Sequence, residues 1–210
     1  MLQILAVKKA YHEQAVLNIP ALTLDKGIFW LQGVNGSGKT TVLRMIAGLI
    51  PFEGDILFDG ISLRHQPLVY RRRISLSEAE PSYPLFINGR ELIAFYQEIR
   101  KGSLQQIDNI IDLFGMQPWL STPIATYSSG MIKKLSLLLA FLGSPALILL
   151  DEPFATLDEA SISILPVLIR DYQRDHGCSF IFSSHHEIPP DSFSIDKKIV
   201  ISDQTMHYTA

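Results

Sequence analysis

The chain has 210 residues, a length that fits one domain with at most a subdomain and excludes two full enzyme domains in tandem. Hydrophobic residues make up 47% and charged residues 19%, which supplies a buried core and excludes the composition of a disordered chain. A formal net charge of -3 gives no global basic field, so binding to nucleic acid by bulk electrostatics is not expected.

The N-terminal run MLQILAVKKAYHEQ has its lysines after the apolar residues, the reverse of a secretory signal. Up to Trp30, short apolar runs (LQILAV, AVLNI, ALTL, GIFWL) alternate with polar breaks and read as strands. After GVNGSGKT the period changes. TTVLRMIAGLI places Val42, Leu43, Ile46 and Leu49 at helical spacing, with Pro51 expected to end the helix. GDILFDGISL then reads as a hairpin turning at Asp59-Gly60. Arg71-Arg72-Arg73 reads as a solvated strand edge or a counter-ion cluster.

From Glu80 to about Ser121 the pattern becomes mostly helical, with Ile107, Ile110, Ile111 and Phe114 on one face. The most apolar stretch, Leu135 to Leu150, is cut by Gly143-Ser144-Pro145 and is too short for a bilayer span, so it reads as a buried helix, a turn and a buried strand. A helix from about Glu159 to Arg174, a strand CSFIFSS and a hairpin-like KKIVISDQTMHYT follow. Strands alternating with helices point to a parallel sheet covered on both faces. The single cysteine, Cys178, reads as a small buried hydrophobe, and with no second cysteine to pair it the chain reads as cytosolic.

Gly33-Val34-Asn35-Gly36-Ser37-Gly38-Lys39-Thr40 meets the pattern G-x-x-x-x-G-K-[ST] after an apolar strand and at the start of a helix. Glycines let the backbone wrap closely so that its N–H groups point at phosphate oxygens, and the helix N-terminus adds a favourable dipole. Lys39 would reach the β- and γ-phosphates and Thr40 would ligate magnesium, with Thr41 next on the helix. This loop alone leaves kinases, GTPases and ATPases open. The strand ALILLD ends in Asp151-Glu152, which would deliver Asp151 to the metal and Glu152 to the attacking water.

With these two motifs, Tyr127-Ser128-Ser129-Gly130-Met131 resembles the signature motif, usually LSGGQ, of the ATP-binding subunits of ABC transporters. The resemblance covers essentially the whole chain. It implies an α/β fold: a P-loop NTPase (RecA-like) core of mainly parallel sheet, an N-terminal antiparallel β subdomain, and a helical signature subdomain at about 80–135 within a single ATPase domain. It implies that Ser128, Ser129 and Gly130 contact ATP across a head-to-tail homodimer, and that Asp158, in Ala155-Thr156-Leu157-Asp158, bridges the two subunits. It also implies that His185, in Phe182-Ser183-Ser184-His185, contacts the γ-phosphate and water, and that Tyr11 stacks on adenine. For Tyr11 a packed core aromatic is the competing reading.

In one place the pattern departs from the family. Where the family has a glutamine that contacts the magnesium shell, ISLSEAEPSYPLF places Ala79, so that the contact is absent unless Glu78 or Glu80 substitutes. Transmembrane permease subunits are the implied partners, docking around Ala79 to Phe86 through Tyr83, Leu85 and Phe86, and the implied location is the inner face of the cell membrane. The SSGM-type signature resembles that of bacterial exporters. A non-transport ABC machine or a P-loop kinase are the competing readings. The first would need coiled coils or paired ATPase domains, and the second would have no use for YSSGM.

Overall fold

In the computed structural model, which describes residues 1–12, 14–184 and 194–209, the chain folds around two sheets. β1 (Leu2–Tyr11), β2 (Gln14–Leu24), β4 (Glu53–Phe58) and β5 (Ile61–Ser62) form an antiparallel sheet in the order β2-β1-β4-β5. β3 (Ile28–Gln32), β6 (Ile74–Ser77), β7 (Leu147–Asp151), β8 (Ser179–Ser183), β9 (Lys197–Ser202) and β10 (Thr205–Tyr208) form the other, in the order β10-β9-β3-β8-β7-β6. Every pairing in that second sheet is parallel except β9 with β10. The α/β class, the parallel core and the N-terminal antiparallel sheet are therefore as expected.

The five residues of β7 and of β8 are all buried, because helices cover one face of the sheet and α1 (Lys39–Ile46) lies on the other. Val42, Leu43, Met45 and Ile46 of α1 pack between the two sheets with Leu17, Ile19, Leu149 and Ile181. On the opposite face, α5 (Ser129–Phe141) and α6 (Glu159–His176) pack with α3 (Gly89–Arg100) and α4 (Leu104–Leu113) in a second core containing Ile107, Ile110, Ile111 and Phe114. Cys178 is buried there. The hairpins β4–β5 and β9–β10 turn through left-handed residues, Asp59-Gly60 and Asp203-Gln204, which matches the right-handed twist of the flanking strands.

Three boundaries differ from those expected. α1 stops at Ile46, five residues before Pro51, and Leu49 lies outside it and exposed. Gly48 takes φ 71° and its N–H donates to Met45 O, while Leu49 N–H donates to Arg44 O. This glycine-based C-cap satisfies the last carbonyls and turns the chain away. The helical segment begins at Gly89 rather than near Glu80, because Asn88 accepts from Glu91 N–H while Glu91 returns a carboxylate to Asn88 N–H, a reciprocal cap that fixes the start. The three arginines form the last turn of a seven-residue helix, α2 (Pro67–Arg73), where Arg71 donates to Gly48 O at 2.8 Å and Arg73 to Asp59 Oδ2 at 2.7 Å. They are counter-ions and cap donors, not a strand edge.

Candidate functional site: a phosphate loop and two carboxylates

The phosphate loop leaves β3 and enters α1. Ser37 N–H donates to Val34 O at 3.1 Å, closing the turn that contains Asn35 and Gly36. Gly38 is the N-cap of α1 at φ 104° and packs against Leu17, so a side chain there would be strained and crowded. Thr40 and Thr41 are half-buried in the first turn of the helix. Lys39 is buried and reaches back over the loop, its ammonium donating to Gly33 O at 2.8 Å and Val34 O at 3.2 Å. Burial lowers its affinity for a proton, and the nearby carboxylates of Glu152 and Asp151 oppose that. Lys39, Asp151 and Glu152 therefore share one electrostatic site, although more than a hundred residues separate them in sequence. Among the described residues Ser37 Oγ, buried in the loop, has no hydrogen-bond partner, a polar group that a phosphate oxygen would satisfy.

Asp151 is the last residue of β7, beside Ser183 in the parallel register with β8. The Ser183 hydroxyl donates to Asp151 Oδ1 at 2.5 Å and accepts from Glu152 N–H at 3.1 Å. One serine thus fixes both the carboxylate of Asp151 and the peptide of Glu152. Glu152 has φ 45°, an uncommon conformation for a long side chain that recurs at functional sites. The sequence reading assigned Ser183 no role, and only the strand register would have brought it beside Asp151.

Ser129, Gly130 and Met131 of the signature motif form the first turn of α5. Ser128 is the N-cap, accepting from Met131 N–H at 3.2 Å, and Ser128 and Ser129 are exposed. A Cβ on Gly130 would lie 2.7 Å from Thr156 O, so glycine is required for the loop Ala155–Asp158 to pass this close. Asp158 caps α6 by accepting from Ser161 N–H at 2.8 Å and pairs with Lys134 at 2.6 Å. Lys134 and the Ser161 cap hold its carboxyl near 2.

Two lysines on α5 went unnoticed in the sequence. Besides Lys134, Lys133 is buried and its ammonium donates to Glu78 O and to Asp151 O, each at 2.7 Å. Burial pushes this ammonium down to about 8, against the opposing pull of Asp151, Glu152 and Glu78. Ala79 is half-buried just beyond β6. The Glu78 carboxylate accepts from Arg44 Nε of α1 at 2.7 Å, and Glu80 is exposed. Tyr11, at the end of β1, is 45% exposed with Lys9 Nζ 4.6 Å from its ring centre; the core-aromatic reading does not hold. His185 lies outside the described residues. Among the described residues no group of three or more His, Cys, Asp or Glu could hold a metal ion, and no helix is long and apolar enough to cross a membrane.

Comparison with known proteins identifies the family. The profile of the family described as "ABC transporter" matches residues 17–155. The chain is 29% identical over 191 residues to the cytochrome c biogenesis ATP-binding export protein CcmA of Legionella pneumophila (strain Lens), covering 90% of this chain and 94% of that one. It is 29% identical over 188 residues to the uncharacterized ABC transporter ATP-binding protein YhcH of Bacillus subtilis (strain 168), covering 88% of this chain and 62% of YhcH. A solved ATP-binding subunit of an ABC transporter superposes with a TM-score of 0.88 at 24% identity, covering 99% of this chain and 90% of that one. The chain belongs to the ABC transporter family as an ATP-binding domain, a class of ATPases.

Proposed function

We propose that the chain is the ATP-hydrolysing subunit of an exporter, working as a head-to-tail homodimer beneath separate membrane subunits. The observation that carries this reading is that Lys39, Asp151 and Glu152 share one site while the exposed Ser128 and Ser129 stand at a helix N-terminus elsewhere in the chain. A signature turn so placed serves the nucleotide of a second copy. The name of CcmA supports the export direction.

In this mechanism Lys39 and the amides of Gly33 to Gly38 bind the β- and γ-phosphates, and Tyr11 offers a ring face to adenine. Thr40 and Asp151 would hold magnesium, whose chemistry there is to neutralise charge on the phosphates. They are hard oxygen donors too few to hold the ion alone, as suits a metal that takes further oxygens from a nucleotide. Glu152 orients the attacking water and accepts its proton. The family resemblance would have His185, which lies outside the described residues, serve the γ-phosphate, and Asp158 lies at the dimer contact. Dimer closure excludes water and brings Ser128 to Gly130 of the second copy onto the triphosphate, so positioning and charge stabilisation do most of the work.

The membrane partner would dock a short helix in the groove of about 500 Å³ beside the segment 78–86. Tyr83, Leu92, Phe95 and Tyr96 line it, and Ser75 in its lining has a buried hydroxyl that finds no hydrogen-bond partner among the described residues. Leu85 and Phe86 at its margin are 61% and 87% exposed, an apolar pair suited to burial against a helix. The test is co-purification. Leu85→Glu with Phe86→Glu should lose the membrane subunits while keeping ATP binding, and full retention of those subunits would overturn the docking assignment.

A further inference from the structure

Adjacent lysines of α5 have opposite environments. Lys134 reaches the surface and a carboxylate. Lys133 is 1% exposed and, among the described residues, makes no ion pair; its ammonium is spent on two backbone carbonyls. A buried ammonium without a direct ion pair is costly even with the carboxylates of Asp151, Glu152 and Glu78 nearby, and an apolar residue would pack α5 against the sheet more cheaply. The two carbonyls it holds are not arbitrary. Asp151 O belongs to the peptide that joins the two site carboxylates, and the N–H of that same peptide is held by Ser183. Glu78 O lies one residue beyond β6, at the start of the segment that leads through Ala79 to the exposed Leu85 and Phe86. β6 and β7 are neighbours, with Ser77 beside Leu150. One ammonium therefore bridges the ends of two adjacent strands from the signature helix, while Ser77 and Ser136 hydrogen-bond one turn further along at 2.9 Å.

We propose that Lys133 is a positioning residue for ATP hydrolysis, locking the Asp151–Glu152 peptide and the start of the segment 78–86 to the signature helix. The two hydrogen bonds of Lys133 go to Glu78 O and Asp151 O and not to the phosphate loop, and it acts on chemistry through the peptide it holds. Its removal should let the Glu152 carboxylate drift from the attacking water while the phosphate loop, held by α1 and β3, stays formed. A positioning loss of this kind lowers turnover rather than binding. Arginine can still donate to both carbonyls, so it should restore part of the function.

The inference rests on the ATPase reading, and the experiment separates the two. Steady-state ATPase activity, affinity for a fluorescent ATP analogue and melting temperature are measured for wild type, Lys133→Met and Lys133→Arg. The expected result is a kcat at least about tenfold lower in Lys133→Met with Kd within about threefold of wild type, and partial recovery in Lys133→Arg. If Lys133→Met does not fold, Lys133→Gln, which retains an amide donor on a shorter stem, is held to the same kcat and Kd criteria. Unchanged kcat, or a loss of kcat matched by an equal loss of affinity and stability, would overturn the positioning role. A wild type that binds no ATP would overturn the ATPase reading itself.

Discussion

Asp151 and Ser183 sit side by side at the ends of β7 and β8, and the Ser183 hydroxyl donates to Asp151 Oδ1 at 2.5 Å. The Ser183 hydroxyl oxygen also accepts from Glu152 N–H, so this serine holds the carboxylate of Asp151 and the peptide of Glu152. Ser183→Ala would leave a buried carboxylate oxygen and a buried N–H without partners, at a cost of roughly 1–3 kcal/mol. We expect a lower melting temperature and a kcat reduced by about tenfold, with ATP affinity nearly kept. Calorimetry and steady-state phosphate release check both.

Ala79 follows β6 at the place where the resemblance expects a glutamine. Glu78 is committed elsewhere, because Arg44 occupies its carboxylate and Lys133 its carbonyl. Ala79→Gln should therefore add a missing contact and raise kcat by about tenfold, the size of one good hydrogen bond to a charged centre. Phosphate release at saturating magnesium-ATP measures it. A flat response, in Glu80→Ala as well, would leave this segment only a docking role.

The parts of the site that were legible in the sequence are those written in consecutive residues. The phosphate loop needs its glycines and lysine at fixed spacing, β7 announces itself by four apolar residues before Asp151, and Asp59-Gly60 specifies its own turn. What escaped depends on partners far apart in the chain. Lys133 looks like a solvated helix charge until α5 is laid against β6 and β7, and Ser183 needs the register of two parallel strands. The end of α1 was misplaced because a proline is a conspicuous stop, whereas the actual stop is the left-handed Gly48 three residues before it. α2 was missed because seven residues with an Arg-rich last turn carry no apolar period.

Asp158 supplies a pH test. Lys134 and the N–H of Ser161 hold its carboxyl near 2, below the ordinary 3.8. The folded chain thus binds this proton less readily than the unfolded one, so the stabilisation is complete above about pH 4 and is lost as pH falls through 2. The side chain is half exposed, so solvent screening limits the effect to about 1 kcal/mol or less. Asn at this position keeps the cap and removes the titration. The difference in melting temperature between wild type and Asp158→Asn should therefore shrink between pH 5 and pH 2, and a constant difference would contradict the assignment.

The central claim is that Glu152 serves hydrolysis while ATP holds two copies together, and Glu152→Gln tests it most directly. The substitution keeps the shape and removes the base, so ATP should still bind while phosphate release falls by roughly two to three orders of magnitude. Size-exclusion chromatography with light scattering, in magnesium-ATP, should then show a dimer that returns to monomer when ATP is withdrawn, whereas Lys39→Ala, which loses a charge-assisted phosphate contact worth about 2–4 kcal/mol, should remain monomeric. A Glu152→Gln protein that binds ATP and stays monomeric would contradict the account.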